Sequence, residues 1–280
     1  MSPTTNRDLT AWIGSTETRT DSLAAAPLAL LDATLDRKTD QLLLPWHWLY
    51  FLPNAPTADL GKDGHPLSLG FLPPITAPRR MWAGSRIEVS NLDVGIGESL
   101  RRTTRIRSVE TKQGASGELV FLGLRHEVSG SSGVLIREDQ DLVYRDTPAP
   151  GAALLEGKPA RTDETWCHKV QPTSTLLMRF SALTFNAHRI HYDRDYATHV
   201  EGYPGLVVHG PLVATLLLNL AYEHLPGIRV VEFSFRAVRP LFDGAPFYLC
   251  ACPAEQPNRL DLWARDADGF VTTQAKLAYA

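Results

Sequence analysis

Three side chains able to move protons or orient water stand within six residues of one another: Asn186, His188 and His191. They fall in the densest polar cluster beside apolar sequence, Arg179-Phe-Ser-Ala-Leu-Thr-Phe-Asn-Ala-His-Arg-Ile-His-Tyr-Asp193. An imidazole with a pKa near ~6.5 can give or take a proton at neutral pH. An amide has no useful basicity, but it can accept from or donate to a water and so orient it. Downstream lies Glu201-Gly-Tyr-Pro-Gly-Leu-Val-Val-His-Gly-Pro211, ending where a helix must begin. Amide N–H groups at a helix start carry partial positive charge and can hold a developing anion. Gly210 would let such a group approach closely, whereas Pro211 has no N–H to give. The expectation is an oxyanion hole at the Gly210 N–H, with Leu212 as the candidate second donor. A tight strand-to-helix turn asks for the same glycine, and His209 could cap the helix or line the site.

These groups need rigid elements to hold them. His209–Leu225 reads as a helix: Pro211 suits a first helical position, and Pro226-Gly227 stops it. Leu212, Val213, Leu216, Leu217, Leu218 and Leu220 make it apolar on nearly every face, so it is expected to be buried all round. Four strand-like runs follow: Arg229–Val238, Pro246–Cys252, Leu260–Asp266 and Phe270–Tyr279, the last two joined at an Asp268-Gly269 turn. The first half follows the same plan. A helix is expected over Ser22–Asp36, then strands over Arg86–Asp93 and Ser99–Glu110, and a hairpin of Glu118–Ser129 with Val134–Tyr144 around Gly130-Ser-Ser-Gly133. Ile87-Glu-Val-Ser echoes Val231-Glu-Phe-Ser at an offset of 144 residues, about half the chain. An apolar helix followed by four antiparallel strands is a helix wrapped in a sheet, the physical content of a hot-dog fold. The fold class expected is therefore α+β, a double hot-dog. Its N-terminal unit spans 1–146, a linker rich in proline and glycine spans 147–165, and a C-terminal unit spans 166–280.

Composition narrows the function. The chain has 280 residues, which favours two modest domains. Hydrophobic residues at 44% and charged ones at 21% supply real cores and exclude disorder over most of the length. A formal net charge of −3 lacks the basic excess of a nucleic-acid binder, so no nucleic-acid partner is expected. No apolar run approaches the ~20 residues that span a bilayer, so no membrane partner is expected either. Cys167, Cys250 and Cys252 are too few for a disulfide framework. Cys250 and Cys252 share one face of a strand and read as buried thiols. A soluble protein of a reducing, cytoplasmic compartment is the expectation.

The two motif stretches resemble the MaoC-like (type 2 enoyl-thioester hydratase) family. That family's motif runs aromatic-Ser-x-x-x-Gly-Asp-x-Asn-Pro-Ile-His-x-Asp, followed by His-Gly at the start of the hot-dog helix. The variant FNAHRIHYD over 185–193, with PWHWLYFLP over 45–53 and RRMWAGSRIE over 79–88, is most similar to one subgroup. It comprises 3-hydroxyacyl-thioester dehydratases of mitochondrial type and bacterial itaconyl-CoA/mesaconyl-C4-CoA hydratases. The resemblance implies an acyl-CoA substrate, no cofactor, and water added across the double bond of an α,β-unsaturated thioester. Only the second half carries the motif; the first is expected to close the substrate pocket.

In the family a motif Asp and a motif His hold the water between them. Here the His is His191, the Asp position is Asn186, the preceding Gly is Phe185, and Asn-Pro becomes His188-Arg189. His191 is thus the expected general acid/base, with Asn186 orienting water and Gly210 at the oxyanion; His188 or Asp193 could assist. Arg189 could pair with a free carboxylate of the acyl group, bind a CoA phosphate, or face solvent in an ion pair. Arg80, Trp82, Tyr203, His188 and His209 complete the expected substrate-binding set. Arg101, Arg105 and Arg107 alternate onto one sheet face, solvated by default. Trp46, Trp48 and Tyr50 are expected to pack the first core or close the acyl tunnel. His47 and His65 read as lone histidines, so no metal is expected. A 3-hydroxyacyl-thioester dehydratase of fatty acyl chains is the second enzyme reading. A non-catalytic thioester-binding subunit or a thioesterase is the reading from another class. Two hot-dog halves could be a complete unit or form a homodimer with a second copy.

Overall fold

Long runs of alternating burial make up most of the molecule. A computed structural model describes residues 8–39, 41–67, 70–114, 117–146 and 157–280. The strands are β1 (Thr16–Ser22), β2 (Arg79–Val89), β3 (Ser99–Gly114), β4 (Gly117–Gly130), β5 (Gly133–Arg145), β6 (Trp166–Val170), β7 (Val230–Ala237), β8 (Phe247–Pro253), β9 (Arg259–Arg265) and β10 (Val271–Tyr279). The helices are α1 (Ala25–Thr34), α2 (Ser174–Leu183) and α3 (Gly210–His224). The hairpins fall where the turn residues predicted them: Gly133 and Gly269 adopt φ of 102° and 87°, the left-handed region glycine enters without strain.

All ten strands join one sheet in the order β1-β3-β4-β5-β2-β7-β10-β9-β8-β6. Each half has the same winding, and the halves meet edge to edge at the antiparallel β2–β7 pair. Glu88 lies opposite Glu232 in that pair, and these residues are 144 apart, the offset of the sequence echo. A pseudo-twofold axis therefore passes between them, as a tandem copy of one fold requires. This is the expected double hot-dog. Residues 147–156 of the expected linker lie outside the described residues.

The halves differ inside. Every residue of α3 from Leu212 to Ala221 is buried, so the helix is surrounded as its composition demands. Each such leucine contributes roughly 1.5–3 kcal/mol by leaving water. The first half departs from the expected plan. Ser22 ends strand β1, α1 spans only Ala25–Thr34, and just Leu31 and Thr34 of it are buried. It packs on α2, and the aromatic turn Trp46–Leu49 enters the core instead, with Trp46 and Tyr50 buried. Trp46 and Tyr50 are buried in the core, as the packing alternative held, while Trp48 and part of Tyr50 also line the cavity described below. Two expectations on the surface also hold: Arg101, Arg105 and Arg107 are exposed, and Cys250 and Cys252 are buried.

Candidate active site

The motif segment is built from the end of α2. Thr173 caps that helix by accepting from the Leu176 N–H at 3.1 Å. The chain leaves it through Phe185, whose φ of 48° lies in the left-handed region. That is the position where the family motif carries glycine, and the backbone shows why. Asn186 then accepts from the His188 N–H at 3.1 Å through Oδ1, closing a turn that leads into the short helical turn Arg189–His191.

His191 is buried, and its Nδ1 lies 2.7 Å from the Val207 carbonyl oxygen. A carbonyl only accepts, so Nδ1 carries the hydrogen and Nε2 keeps a lone pair. Burial pushes the His191 imidazole down to about 4, against a weaker upward pull from the Val207 bond. The expectation that it works equally as acid or base at neutral pH therefore shifts: in the resting site it is a neutral base. His209 stacks on it with ring centroids 3.6 Å apart and pairs through Nε2 with Ser181 Oγ at 2.8 Å. Burial holds His209 well below the ordinary histidine range, and its Nδ1 is buried without a partner among the described residues. It precedes α3 as the N-cap residue without making a side-chain cap bond, so it lines the site. The first-turn N–H groups of α3, at Gly210 and Leu212, have no acceptor within the helix. A Cβ on Gly210 would meet only the Trp82 carbonyl oxygen at 3.9 Å, so backbone crowding does not dictate this glycine.

The first half reaches into this site. The Gly61–His65 loop folds over the motif, with the Arg189 N–H donating to Asp63 O at 2.8 Å. Gly64 (φ 89°) passes so close that a Cβ would lie 1.9 Å from Ala187 O. The loop places His65 against His188 at 4.1 Å between ring centroids, and Asp63 Oδ2 lies 3.0 Å from His65 Nδ1. Burial pushes the Asp63 carboxyl up, but hydrogen bonds and charge from His65 outweigh it and hold it at about 2. Burial, with the charges of His65 and His191, pushes His188 down to about 2. His65, His188, His191 and His209 thus form one file of imidazoles.

These residues open on a cavity of about 1640 Å³, above the ~300–1,000 Å³ usual for small-ligand sites. Asn186, His188, His191, His209, Gly210, Arg80, Trp82 and Tyr203 all line it, so the structure brings eight of the nine sequence-predicted residues together. Arg189 is the exception. Its guanidinium donates to Asp193 Oδ2 at 2.8 and 3.0 Å and to Lys62 O at 3.0 Å, and it lies 4.2 Å from the centre of the Tyr196 ring. Of the three alternatives for Arg189, the geometry matches the ion pair. Asp193, the other candidate assistant, is spent on the same contact. Arg80 lines the cavity instead, hydrogen-bonded to the Tyr144 hydroxyl and in no ion pair with a carboxylate among the described residues.

Sequence reasoning missed two pairs. His65 is not alone, and the Asp63-Gly64-His65 spacing was the local signal for its partner. His47 is not alone either: its Nε2 lies 2.9 Å from Glu138 Oε2, and both side chains are buried. Trp48 Nε1 donates to the same oxygen at 3.0 Å. Burial pushes Glu138 up, but the His47 bond and the charges of His47 and His126 hold it at about 2. Nothing near His47 in the sequence announces a partner in β5.

Asp63, His65 and His188 also bring ligand-type atoms within 4.8 Å of one another, as do Glu164, Cys167 and Cys250 at the β6–β8 pair. In the first group Asp63 Oδ2 is hydrogen-bonded to His65, and the His65 and His188 rings are tilted by 38° with centroids 4.1 Å apart.

The family model of hydroxyacyl-thioester dehydratase type 2 matches residues 45–243. The chain is 47% identical over 274 residues to the mesaconyl-C(4)-CoA hydratase of Chloroflexus aurantiacus, covering 96% of both chains. Among solved structures it is similar to a MaoC-like dehydratase from Phytophthora capsici, at TM-score 0.67 and 13% identity over 97% of both chains. It is also similar to a Mycobacterium tuberculosis protein with a double hotdog fold, at TM-score 0.55 and 14% identity over 96% of both. At those identities the structures speak for the fold alone.

Proposed function

The chain belongs to the hydroxyacyl-thioester dehydratase type 2 family, and from that premise we propose that it hydrates mesaconyl-C4-CoA, and with it itaconyl-CoA, to citramalyl-CoA. It is a hydro-lyase of the hydratase/dehydratase class. The observation that carries the reading is the unprotonated Nε2 of His191, fixed by the Val207 carbonyl on a cavity that also receives the N-terminus of α3. His191 takes a proton from water as its oxygen attacks the β-carbon. Asn186 orients that water, and the first N–H groups of α3 hold the enolate oxygen of the thioester. The choice of acyl group is supported by the 47% identity and by Arg80, a cation on the cavity wall suited to a free carboxylate.

We place the division of labour at the 147–165 linker, with 1–146 closing the pocket and 166–280 carrying the motif. Three unpaired thiols suit a cytoplasmic enzyme of itaconate breakdown. The second reading, dehydration of 3-hydroxyacyl thioesters of fatty acids, is favoured by the family model itself. Incubation with mesaconyl-C4-CoA tests the proposal. Expected are loss of the conjugated thioester absorbance and a product heavier by one water. Release of free CoA thiol without that product would make the chain a thioesterase, and an unchanged thioester would leave a binding subunit.

A further inference from the structure

Adding water to a double bond needs two proton transfers, one from water and one to the α-carbon, and the motif supplies only His191 securely. Its usual carboxylate is an amide here, Asn186, whose Oδ1 is held by the His188 N–H. The structure brings a carboxylate back from the other half of the chain. Asp63 lies 3.0 Å from His65 Nδ1 and also accepts from the His65 backbone N–H at 3.0 Å, and both residues line the cavity. The loop that carries them is locked on the motif by the Arg189–Asp63 backbone bond and by the contact of Gly64 with Ala187.

The environments of the two imidazoles differ in kind. His191 meets a neutral carbonyl at Nδ1, whereas His65 meets an ionised carboxylate. Burial and the Arg80 charge pull the His65 ring below the ordinary histidine range, and the Asp63 carboxylate opposes them. A carbonyl gives His191 far less such support, so of the two rings His65 is the better proton holder. The charged and titratable groups facing His65 are Asp63, His188, His191 and Arg80. Of these only Asp63 favours the charged ring.

We propose that His65 is the second acid–base residue of the site and that Asp63 is its positioning residue, together replacing the carboxylate absent at Asn186. The proposal rests on the reading of the cavity as an enoyl-thioester hydratase. The water oxygen bonds to the β-carbon while His191 Nε2 takes its proton. The π electrons shift to the α-carbon and thioester oxygen, and His65 Nε2 delivers a proton to the α-carbon. His191 then loses its proton to bulk water and His65 gains one, so the net change is the uptake of one water.

The test is steady-state hydration of mesaconyl-C4-CoA by wild type, His65→Gln, Asp63→Asn and His191→Ala, each checked for an unchanged melting temperature, with crotonyl-CoA as a second thioester. His65→Gln is expected to lower kcat by ~10²-fold or more with KM changed only a few-fold, the span of a lost acid/base group. Asp63→Asn is expected to move the alkaline limb of kcat/KM to lower pH, because the proton on His65 loses its counter-charge. A merely structural Asp63 would leave that limb in place. His65→Gln turning over within about threefold of wild type, with His191→Ala inactive, overturns the proposal while leaving the hydratase reading intact. If Gln unfolds the loop, His65→Asn must show the same kcat loss, or the proposal fails. A wild-type chain inactive on both thioesters overturns the reading and the proposal together.

Discussion

His191 gives its Nδ1 hydrogen to the carbonyl of Val207 across 2.7 Å, and that bond decides what the ring can do. A carbonyl cannot donate, so the tautomer is fixed, and burial lowers the ring to about 4. The site rests as a base. On the proposed mechanism His191 acts unprotonated, so kcat/KM is expected to rise with pH through about 4 and to lose its dependence on this ring above it. His191→Ala is expected to lower kcat by ~10²–10⁴ at neutral pH. A rate unchanged by that substitution would remove His191 from the chemistry.

Arg80 and Arg189 separate by position. Arg80 lines the cavity, and its charge acts on both His65 and His188. A hydrogen bond to a charged group is worth roughly 1.5–3 kcal/mol. Arg80→Gln should therefore raise KM for mesaconyl-C4-CoA by about 10- to 100-fold and leave crotonyl-CoA, which has no free carboxylate, little changed. Arg189→Ala should leave both KM values within about threefold and change stability little, since an exposed ion pair is screened by solvent. Kinetics with both thioesters and a denaturant titration read these outcomes.

The loop that crosses from the first half to the motif depends on one glycine. A Cβ at Gly64 would meet the Ala187 carbonyl at 1.9 Å, and φ is 89°. Gly64→Ala should destabilise the loop by ~1–3 kcal/mol and lower kcat with it, because His65 and His188 lose their register. A melting curve and a kcat both at wild-type values would show that the loop can give way.

The His47–Glu138 pair predicts an acid-sensitive core. Glu138 is held at about 2 in the folded protein against an ordinary 4.5. A depressed carboxylate contributes stability that is fully present above 4.5 and is lost as pH falls towards about 2. Glu138→Gln should be less stable at neutral pH and should flatten the fall in melting temperature across that window. Identical slopes in both proteins would mean that other carboxylates, Asp63 among them, carry the acid response.

Local signals made much of this legible. The all-apolar run between Pro211 and Pro226-Gly227 dictated a helix buried on every side, and Gly130–Gly133 and Asp268-Gly269 dictated the hairpins. The clustering of Asn186, His188 and His191 pointed to the cavity wall that these three side chains share. Strands β1 and β6 were not legible: Thr16–Ser22 and Trp166–Val170 lie at the sheet edges and carry little of the apolar alternation that marks a buried strand. The Ser22–Asp36 helix was misplaced at its start because Ser22, a fitting cap, completes β1. His47 could not be paired with Glu138 from sequence, because their partnership exists only through the packing of β5 on the aromatic turn. Nearness in sequence leaves the direction of Arg189 open between substrate and solvent, and its pair with Asp193 four residues on decides it.

The most direct test of the whole account is a side-by-side measurement of kcat/KM for mesaconyl-C4-CoA and crotonyl-CoA with the purified chain. A hydratase built around His191 with a cation on its cavity wall should favour mesaconyl-C4-CoA by at least about tenfold, the worth of one charge-assisted contact. A strong preference for crotonyl-CoA would contradict it and make the chain a dehydratase of simple acyl chains.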